Sequence, residues 1–180
     1  ADTGLVNLKF EPVRLDDLVR ENVADAKILA QPKNICVSLS ACDELTISGD
    51  RHRLRQLLLN LTDNAIKYNH PSGSVAISLE RDAAFARLKV ENTGAGLAPE
   101  LQPRAFDRFF RGDGSHSSAV DGCGLGLSIA QWIVQAHRGT IEFTSEPDKR
   151  TTVIVRLPSG NRPCRENGAA RQARSHSQPE

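Results

Sequence analysis

The segment NLTDNAIKY, at residues 60–68, decides how the rest of the chain can be interpreted. It forms the second half of a helix that we predict from about Asp50, a favourable N-cap, to about Tyr68. The turn-prone residues 69–73 end this helix. Apolar side chains recur at helical spacing and predict a buried stripe of Leu54, Leu57, Leu58, Leu61 and Ala65.

The opposite face of the same helix carries two amides and an ammonium. Asn60, Asn64 and Lys67 recur at positions i, i+4 and i+7, which places them along one line of the helix surface. Amide oxygens suit a hard cation such as Mg²⁺, which takes further oxygens from water and phosphates. Lys67 would then neutralise phosphate charge. Taken alone, the pattern is more typical of a solvated polar face.

Two glycine-bearing segments follow further along the chain. ENTGAG (91–96) ends a predicted strand, where glycines allow a ring or a phosphate to approach the backbone, although an ordinary tight turn has the same pattern. GCGLGL (122–127) opens a predicted helix, and its backbone N–H groups favour an anion site. Its spacing fits neither the Rossmann nor the P-loop pattern.

A cluster of aromatic residues, FDRFFR (106–111), lies between these glycine segments. We predict a small apolar cluster there that anchors the following loop. That loop, between Arg111 and Gly122, is rich in Gly, Ser and Asp and is expected to be mobile.

The order of the predicted elements indicates the fold class. We predict further helices at 15–30 and 125–137, a hairpin of strands at 74–80 and 86–92, and other strands at 35–40, 45–48, 140–145 and 151–158. This is an α+β pattern, with helices on one face of a mixed, mostly antiparallel sheet. Residues 159–180 are polar and without period, so we expect residues 1–158 to form one domain followed by a disordered tail.

Composition excludes several classes of function. The chain has 180 residues, of which 39% are hydrophobic and 25% charged, as in a soluble globular domain. A net charge of +1 gives no support to nucleic-acid binding. The cysteines form no CxxC pair, and no apolar run is long enough to span a membrane. Because the chain contains no methionine, we expect it to be part of a longer protein.

Together, NLTDNAIKY, ENTGAG, FDRFFR and GCGLGL resemble, in order, the N, G1, F and G2 boxes of the catalytic ATP-binding domain of bacterial two-component sensor histidine kinases. The resemblance covers roughly residues 8–158. It implies the Bergerat-type α/β sandwich of the GHKL superfamily, which is shared with gyrase-type, chaperone-type and mismatch-repair ATPases. It also implies ATP and Mg²⁺ as ligands.

The resemblance assigns a role to each matching residue. It implies that Asn60 and Asn64 hold Mg²⁺, and that Asn60, Lys67 and Arg111 form the catalytic group at the phosphates. Tyr68 would lie along the nucleotide, and the segment between Arg111 and Gly122 would be the ATP lid. The remaining binding residues that it implies are Asn92, Gly94 and Gly96 around adenine, Gly122, Gly124, Leu125 and Gly126 around the phosphates, and Thr151 beside the base.

This chain departs from the family pattern at two places. Asn92 stands where the family has Asp, so the adenine amine would meet a neutral acceptor and adenine binding is expected to be weaker. Asp148, Lys149 and Arg150 precede Thr151, where the family often has Gly-x-Gly-Thr. Thr151 can keep its hydroxyl, but we expect an altered turn.

The resemblance also bears on the reaction. Related ATPases place a water-activating Glu at the position of Asn60, which cannot take up a proton at neutral pH. We therefore expect transfer of the γ-phosphoryl group to a histidine on a separate dimerisation domain, and no autophosphorylation of this chain alone. A water-activating ATPase and a catalytically weakened nucleotide-binding regulatory module stay open as alternatives.

The implied partners are that dimerisation and phosphotransfer domain and, indirectly, a response regulator. The implied parent is a membrane-bound homodimer of the bacterial inner membrane, with this domain in the cytoplasm. None of the chain's five histidines lies in the family's acceptor motif. His137 is expected at a helix C-terminus, where its positive charge would suit the helix dipole.

Overall fold

The computed structural model describes residues 7–110 and 124–160. The predicted tail lies outside these ranges from residue 161 onward. Within them the chain forms, in order, β1 (Glu11–Arg14), α1 (Leu15–Ala30), β2 (Cys36–Cys42), β3 (Thr46–Gly49), α2 (Arg51–Lys67), β4 (Ser74–Asp82), β5 (Phe85–Thr93), α3 (Gly126–Ala136), β6 (Thr140–Glu146) and β7 (Arg150–Pro158), with short 3-10 helices at Gln31–Lys33 and Pro99–Arg104.

The larger sheet has five strands in the order β2-β4-β5-β7-β6, and β1 pairs with β3 in a separate two-stranded sheet. β2 runs parallel to β4, whereas the β4–β5, β5–β7 and β6–β7 pairs are antiparallel. The α+β class, the mixed and mostly antiparallel sheet, and the β4–β5 hairpin are therefore confirmed.

Side-chain alternation explains why the helices cover only one face of this sheet. Along β5, Ala86, Leu88 and Val90 are buried, while the intervening side chains are partly exposed. On that open face Lys89 Nζ lies 2.9 Å from a Glu91 carboxylate oxygen. The sheet therefore has one apolar face for helices and one polar face, which is the predicted α/β sandwich.

The predicted stripe of α2 lies in the centre of the core. None of its five apolar side chains is more than 2% exposed. Asp50 caps the helix, because its Oδ1 accepts a hydrogen bond of 3.0 Å from the Arg53 N–H. Its other oxygen accepts one of 2.9 Å from the Lys9 N–H, and these backbone bonds, that from Lys9 first, lower the pKa of Asp50. The predicted bounds of this helix are confirmed.

The expected charge on His137 is wrong. The ring is 4% exposed, its Nδ1 donates to the Ile133 carbonyl at 2.7 Å, and its Nε2 accepts from the Asp50 N–H at 3.0 Å. This pairing needs one protonated and one unprotonated ring nitrogen, so the imidazole is neutral. The partner at Asp50 is distant in sequence, which is why helix position alone was misleading.

The sequence patterns did not predict β1 or the ion pair that follows it. Arg14 makes two hydrogen bonds to Asp16, of 3.0 and 2.7 Å, and the Leu45 N–H donates to the same carboxylate at 3.2 Å. Asp16 is only 1% exposed, and the Arg14 bond holds its pKa below the ordinary value. Within the described ranges, no helix combines the length and apolar character needed to cross a membrane.

Candidate functional site

A cleft of about 670 Å³, including its open mouth, lies where the end of α2, the end of β5, the start of β7 and the start of α3 meet. The predicted site residues that line it are Asn64, Tyr68, Asn92, Gly96, Gly124, Gly126 and Thr151. The fold therefore gathers these separate sequence segments into one site.

The polar floor of the cleft is formed by Asn92 and Thr151. They are 5% and 8% exposed, and they face each other in the β5–β7 register. The Nδ2 of Asn92 donates to the Thr93 carbonyl at 2.8 Å. This bond fixes the amide orientation, so Oδ1 is the side-chain atom left to accept a hydrogen bond from a ligand.

Ser145 supports the site from beside the cleft, and the sequence patterns did not predict this role. Its hydroxyl oxygen lies 2.9 Å from that of Thr151 and accepts a hydrogen bond of 2.8 Å from the Leu97 N–H. The Gln102 side chain donates to the Ser145 carbonyl at 2.7 Å. These bonds hold the segment after ENTGAG against β6 beside the cleft. The only sequence signal was the position of Ser145 on the core-facing side of a predicted strand.

The altered turn before Thr151 keeps the geometry that glycine usually provides. Asp148 has a φ of 57°, a left-handed conformation that Asp adopts more readily than most residues. Its N–H donates to the Ala95 carbonyl at 2.8 Å. The turn therefore stays attached to the glycine segment at the end of β5, and Thr151 stays buried.

The predicted polar face of α2 is only partly in the cleft. Asn64 and Tyr68 line it, whereas Asn60 and Lys67 do not and are half-buried elsewhere on the helix. Asn60 lies one turn before Asn64, and its Nδ2 is buried with no hydrogen-bond partner among the described residues. The described cleft therefore contains one amide of the predicted pair, with the other a turn away.

Two glycines are required by their surroundings. Gly94 has a φ of 155°, and a Cβ there would overlap the Tyr68 carbonyl, so β5 and the end of α2 touch directly. Gly124 has a φ of 66°, and a Cβ there would lie 2.9 Å from the Phe110 carbonyl oxygen. Gly94 itself does not line the cleft. Leu125 precedes α3 without lining the cleft, and Arg111 and Gly122 lie outside the described residues.

The aromatic segment forms part of the apolar wall. Phe110 lines the cleft with Leu97, Ala105, Leu127 and Phe143. Phe106 packs edge-on against Phe143 with ring centroids 6.3 Å apart, so the predicted apolar cluster is present, whereas the loop that it was expected to anchor lies outside the described residues. Phe109 is 71% exposed, so the cluster uses two of its three aromatic rings.

The arrangement suits a ligand with a flat apolar body, a polar edge and an anionic end. The apolar wall covers the body, Asn92 and Thr151 meet the polar edge, and the glycine turn before α3 offers backbone N–H groups. No carboxylate is found among the described residues that line the cleft. The buried amide of Asn92, the Asn64 side chain of α2 and a glycine-bearing helix start around one cleft are typical of an ATP-binding domain of the Bergerat type.

Comparison with known proteins gives the family. A family model described as "Histidine kinase-, DNA gyrase B-, and HSP90-like ATPase" matches residues 49–161, and the chain belongs to this family. The sensor-like histidine kinase SenX3 of Mycobacterium tuberculosis H37Rv is 39% identical over 147 residues, which are 82% of this chain and 36% of SenX3. The sensor protein SrrB of Staphylococcus aureus NCTC 8325 is 37% identical over 122 residues, 68% of this chain and 21% of SrrB.

Solved structures give the same result. The mycobacterial sensor histidine kinase MprB has a TM-score of 0.73 at 27% identity, covering 83% of this chain and 98% of that one. The catalytic domain of histidine kinase ThkA has a TM-score of 0.72 at 28% identity, covering 84% and 96%. The chain spans about a third or less of the curated relatives, but nearly the whole of these two structures. It is an ATP-binding catalytic domain of the histidine-kinase kind.

Proposed function

We propose that this domain binds Mg-ATP and positions its γ-phosphoryl group for transfer to a histidine on a separate dimerisation and phosphoacceptor domain. The observation that carries the proposal is the cleft itself, in which Asn92 and Thr151 stand at the polar floor and the glycine turn stands at the start of α3. A full-length relative in structure, ShkA, was solved in complex with AMPPNP and has a TM-score of 0.73 at 29% identity.

The residues present fit a Mg²⁺ ion that arrives with the nucleotide. Among the described residues, no group of three or more His, Cys, Asp or Glu side chains could hold a metal on its own. Asn60 and Asn64 carry amide oxygens at positions i and i+4 of α2. The buried Nδ2 of Asn60, which has no partner among the described residues, is a donor and suits a phosphate or water oxygen rather than the ion itself. Two amides suit an ion that takes its other oxygens from phosphates and water, where it would neutralise phosphate charge.

Transfer is favoured over hydrolysis by the chemistry of the side chains. Hydrolysis needs a base within reach of the attacking water, and the described cleft contains no carboxylate. Asp63, the acid nearest to Asn64 in sequence, is exposed and does not line the cleft. The domain would instead hold the nucleotide in line with an acceptor, with Lys67 and Arg111 countering the phosphate charge.

The partners follow from this reaction. The phosphoacceptor domain would supply the histidine, and a response regulator would receive the phosphoryl group from it. The parent would be a homodimeric sensor kinase of the bacterial inner membrane, with this domain on the cytoplasmic side. SenX3 and SrrB are named as sensor proteins, which supports a signalling role for the parent.

Calorimetric titration with AMPPNP, with and without Mg²⁺, tests the binding step. We expect saturable binding that tightens when Mg²⁺ is present, and Asn64→Ala should remove most of this metal dependence. Asp63→Ala is the matched control, because Asp63 is exposed on the same helix and away from the cleft. Equal affinity with and without Mg²⁺ would contradict the metal role and favour the regulatory-module alternative.

A further inference from the structure

A closed set of hydrogen bonds lies where α2, β4 and β5 end or begin. Asn69, the second residue after α2, is 9% exposed, and its Nδ2 donates to the Ser74 carbonyl at 2.9 Å. The Thr93 hydroxyl donates to Asn69 Oδ1 at 2.8 Å. The same hydroxyl oxygen accepts the Ser74 N–H at 2.8 Å. We call these three residues the Asn69–Thr93 knot.

The knot has no space for other side chains. A Cβ at the neighbouring Gly73 would overlap both Asn69 Oδ1 and Thr93 Oγ1. The Gly73 carbonyl accepts a hydrogen bond of 2.9 Å from the Cys36 N–H, so the turn is fixed from β2 as well. The knot therefore includes residues of β4 and β5 and adjoins a turn that is bonded to β2, and loss of the Thr93 hydroxyl would leave its partners unsatisfied.

Neither Asn69 nor Thr93 lines the cleft, but each is bonded to a residue that does. Asn69 directly follows Tyr68, and Thr93 directly follows Asn92. The Thr93 carbonyl accepts the hydrogen bond that orients the Asn92 amide, at 2.8 Å. Gly94 touches the Tyr68 backbone immediately afterwards. The knot thus links the two nucleotide-facing segments at their closest approach.

We propose that Asn69 and Thr93 are positioning residues that hold the Asn92 amide at the distance and orientation required to select adenine. This proposal rests on the proposed function, because it assumes that the Asn92 end of the cleft receives the base. The oriented Oδ1 would accept the adenine amine and disfavour hypoxanthine, which presents an oxygen at the same place. Without the knot, the segment would move and the choice between the two bases would weaken.

The test compares the affinities for ADP and IDP in variants that keep the shape of the side chain. Thr93→Val removes the hydroxyl, and we expect ADP binding to weaken about 5- to 10-fold while IDP binding changes little. Thr93→Ser restores the hydroxyl and should restore the preference for ADP. Thr152→Val is the matched control, since that hydroxyl bonds Glu91 Oε2 at 3.2 Å and does not line the cleft.

The possible outcomes separate this proposal from the proposed function. If the unmodified protein binds neither nucleotide, the proposed function fails and the positioning role fails with it. If it prefers ADP and Thr93→Val keeps the same ADP-to-IDP ratio, the positioning role alone is refuted. A lower melting temperature with an unchanged ratio is the result of a purely structural role. Asn69→Ala carries the same expectation and provides the test if Thr93→Val does not fold.

Discussion

Replacing Asn92 by Asp exchanges one atom of the cleft, the amide nitrogen, for an oxygen. The change affects both the stability of the nucleotide-free domain and its affinity for nucleotide. The amide Nδ2, which donates to the Thr93 carbonyl at 2.8 Å, becomes a carboxylate oxygen facing that carbonyl at a site only 5% exposed. Leaving buried polar atoms without partners costs about 1–3 kcal/mol. We therefore expect the free energy of unfolding of the nucleotide-free domain to fall by about this amount.

Nucleotide binding should change in the opposite direction. A hydrogen bond to a charged group contributes about 1.5–3 kcal/mol and a neutral one about 0.5–1.5 kcal/mol, so the adenine amine gains about 1 kcal/mol by meeting a carboxylate. That difference corresponds to roughly fivefold tighter binding.

Calorimetric titration with ADP measures the affinity, and urea unfolding without nucleotide measures the stability. IDP is the control ligand, because its base offers an oxygen to the new carboxylate and should bind more weakly to Asn92→Asp than to the unmodified protein. ADP affinity that is unchanged or reduced in a folded Asn92→Asp variant would refute the assignment of Asn92 to the adenine position.

Three further changes test individual contacts of the fold. Gly94→Ala should lower the free energy of unfolding by about 2 kcal/mol or more, since the site has no space for a Cβ; an unchanged melting curve would refute this contact. Asp16→Asn should lower the free energy of unfolding by about 1–3 kcal/mol at pH 7 and by progressively less below about pH 4. Arg14 lowers the native pKa of the Asp16 carboxyl, so the stabilisation is complete above the unfolded-state pKa and is lost as the carboxyl becomes protonated. A difference that does not depend on pH would contradict the ion pair. Thr62→Val should lower the free energy of unfolding by about 1–3 kcal/mol, because the Nδ2 of the buried Asn22 would lose the hydroxyl that accepts its hydrogen bond. Adding Asn22→Leu should recover most of that loss in urea unfolding, and no recovery would count against the pair.

Much of the fold could be predicted because the signals are local. The leucine stripe and the Asp50 cap can be recognised from residues of α2 and its immediate neighbour alone. The alternation of buried and exposed side chains in β4 and β5 can likewise be recognised within each strand. Strand β1 was missed because its four residues pair with β3, whose distance along the chain leaves no local pattern. His137 was misjudged for the same reason, since its burial and its Asp50 partner depend on tertiary contacts.

The site residues divide in the same way, into those with a signal in their own sequence segment and those whose role depends on tertiary contacts. Motif order located Asn64, Tyr68, Asn92 and Thr151, which the fold brings to one cleft. Ser145 was missed because its role depends on the approach of a distant loop to β6. The roles given to these four cleft residues stay predictions, as do those of Asn60, Lys67 and the residues outside the described ranges.

Transfer of the γ-phosphoryl group from ATP to a separate phosphoacceptor domain can be measured with a radioactive label. The domain is incubated with ATP labelled at the γ-phosphate and Mg²⁺, with and without the separately produced phosphoacceptor domain of its parent kinase. We expect acid-labile, base-stable label on a histidine of the added domain, and little inorganic phosphate when that domain is left out. Rapid phosphate release in the absence of the acceptor, or label on this chain alone, would contradict the proposed phosphotransfer.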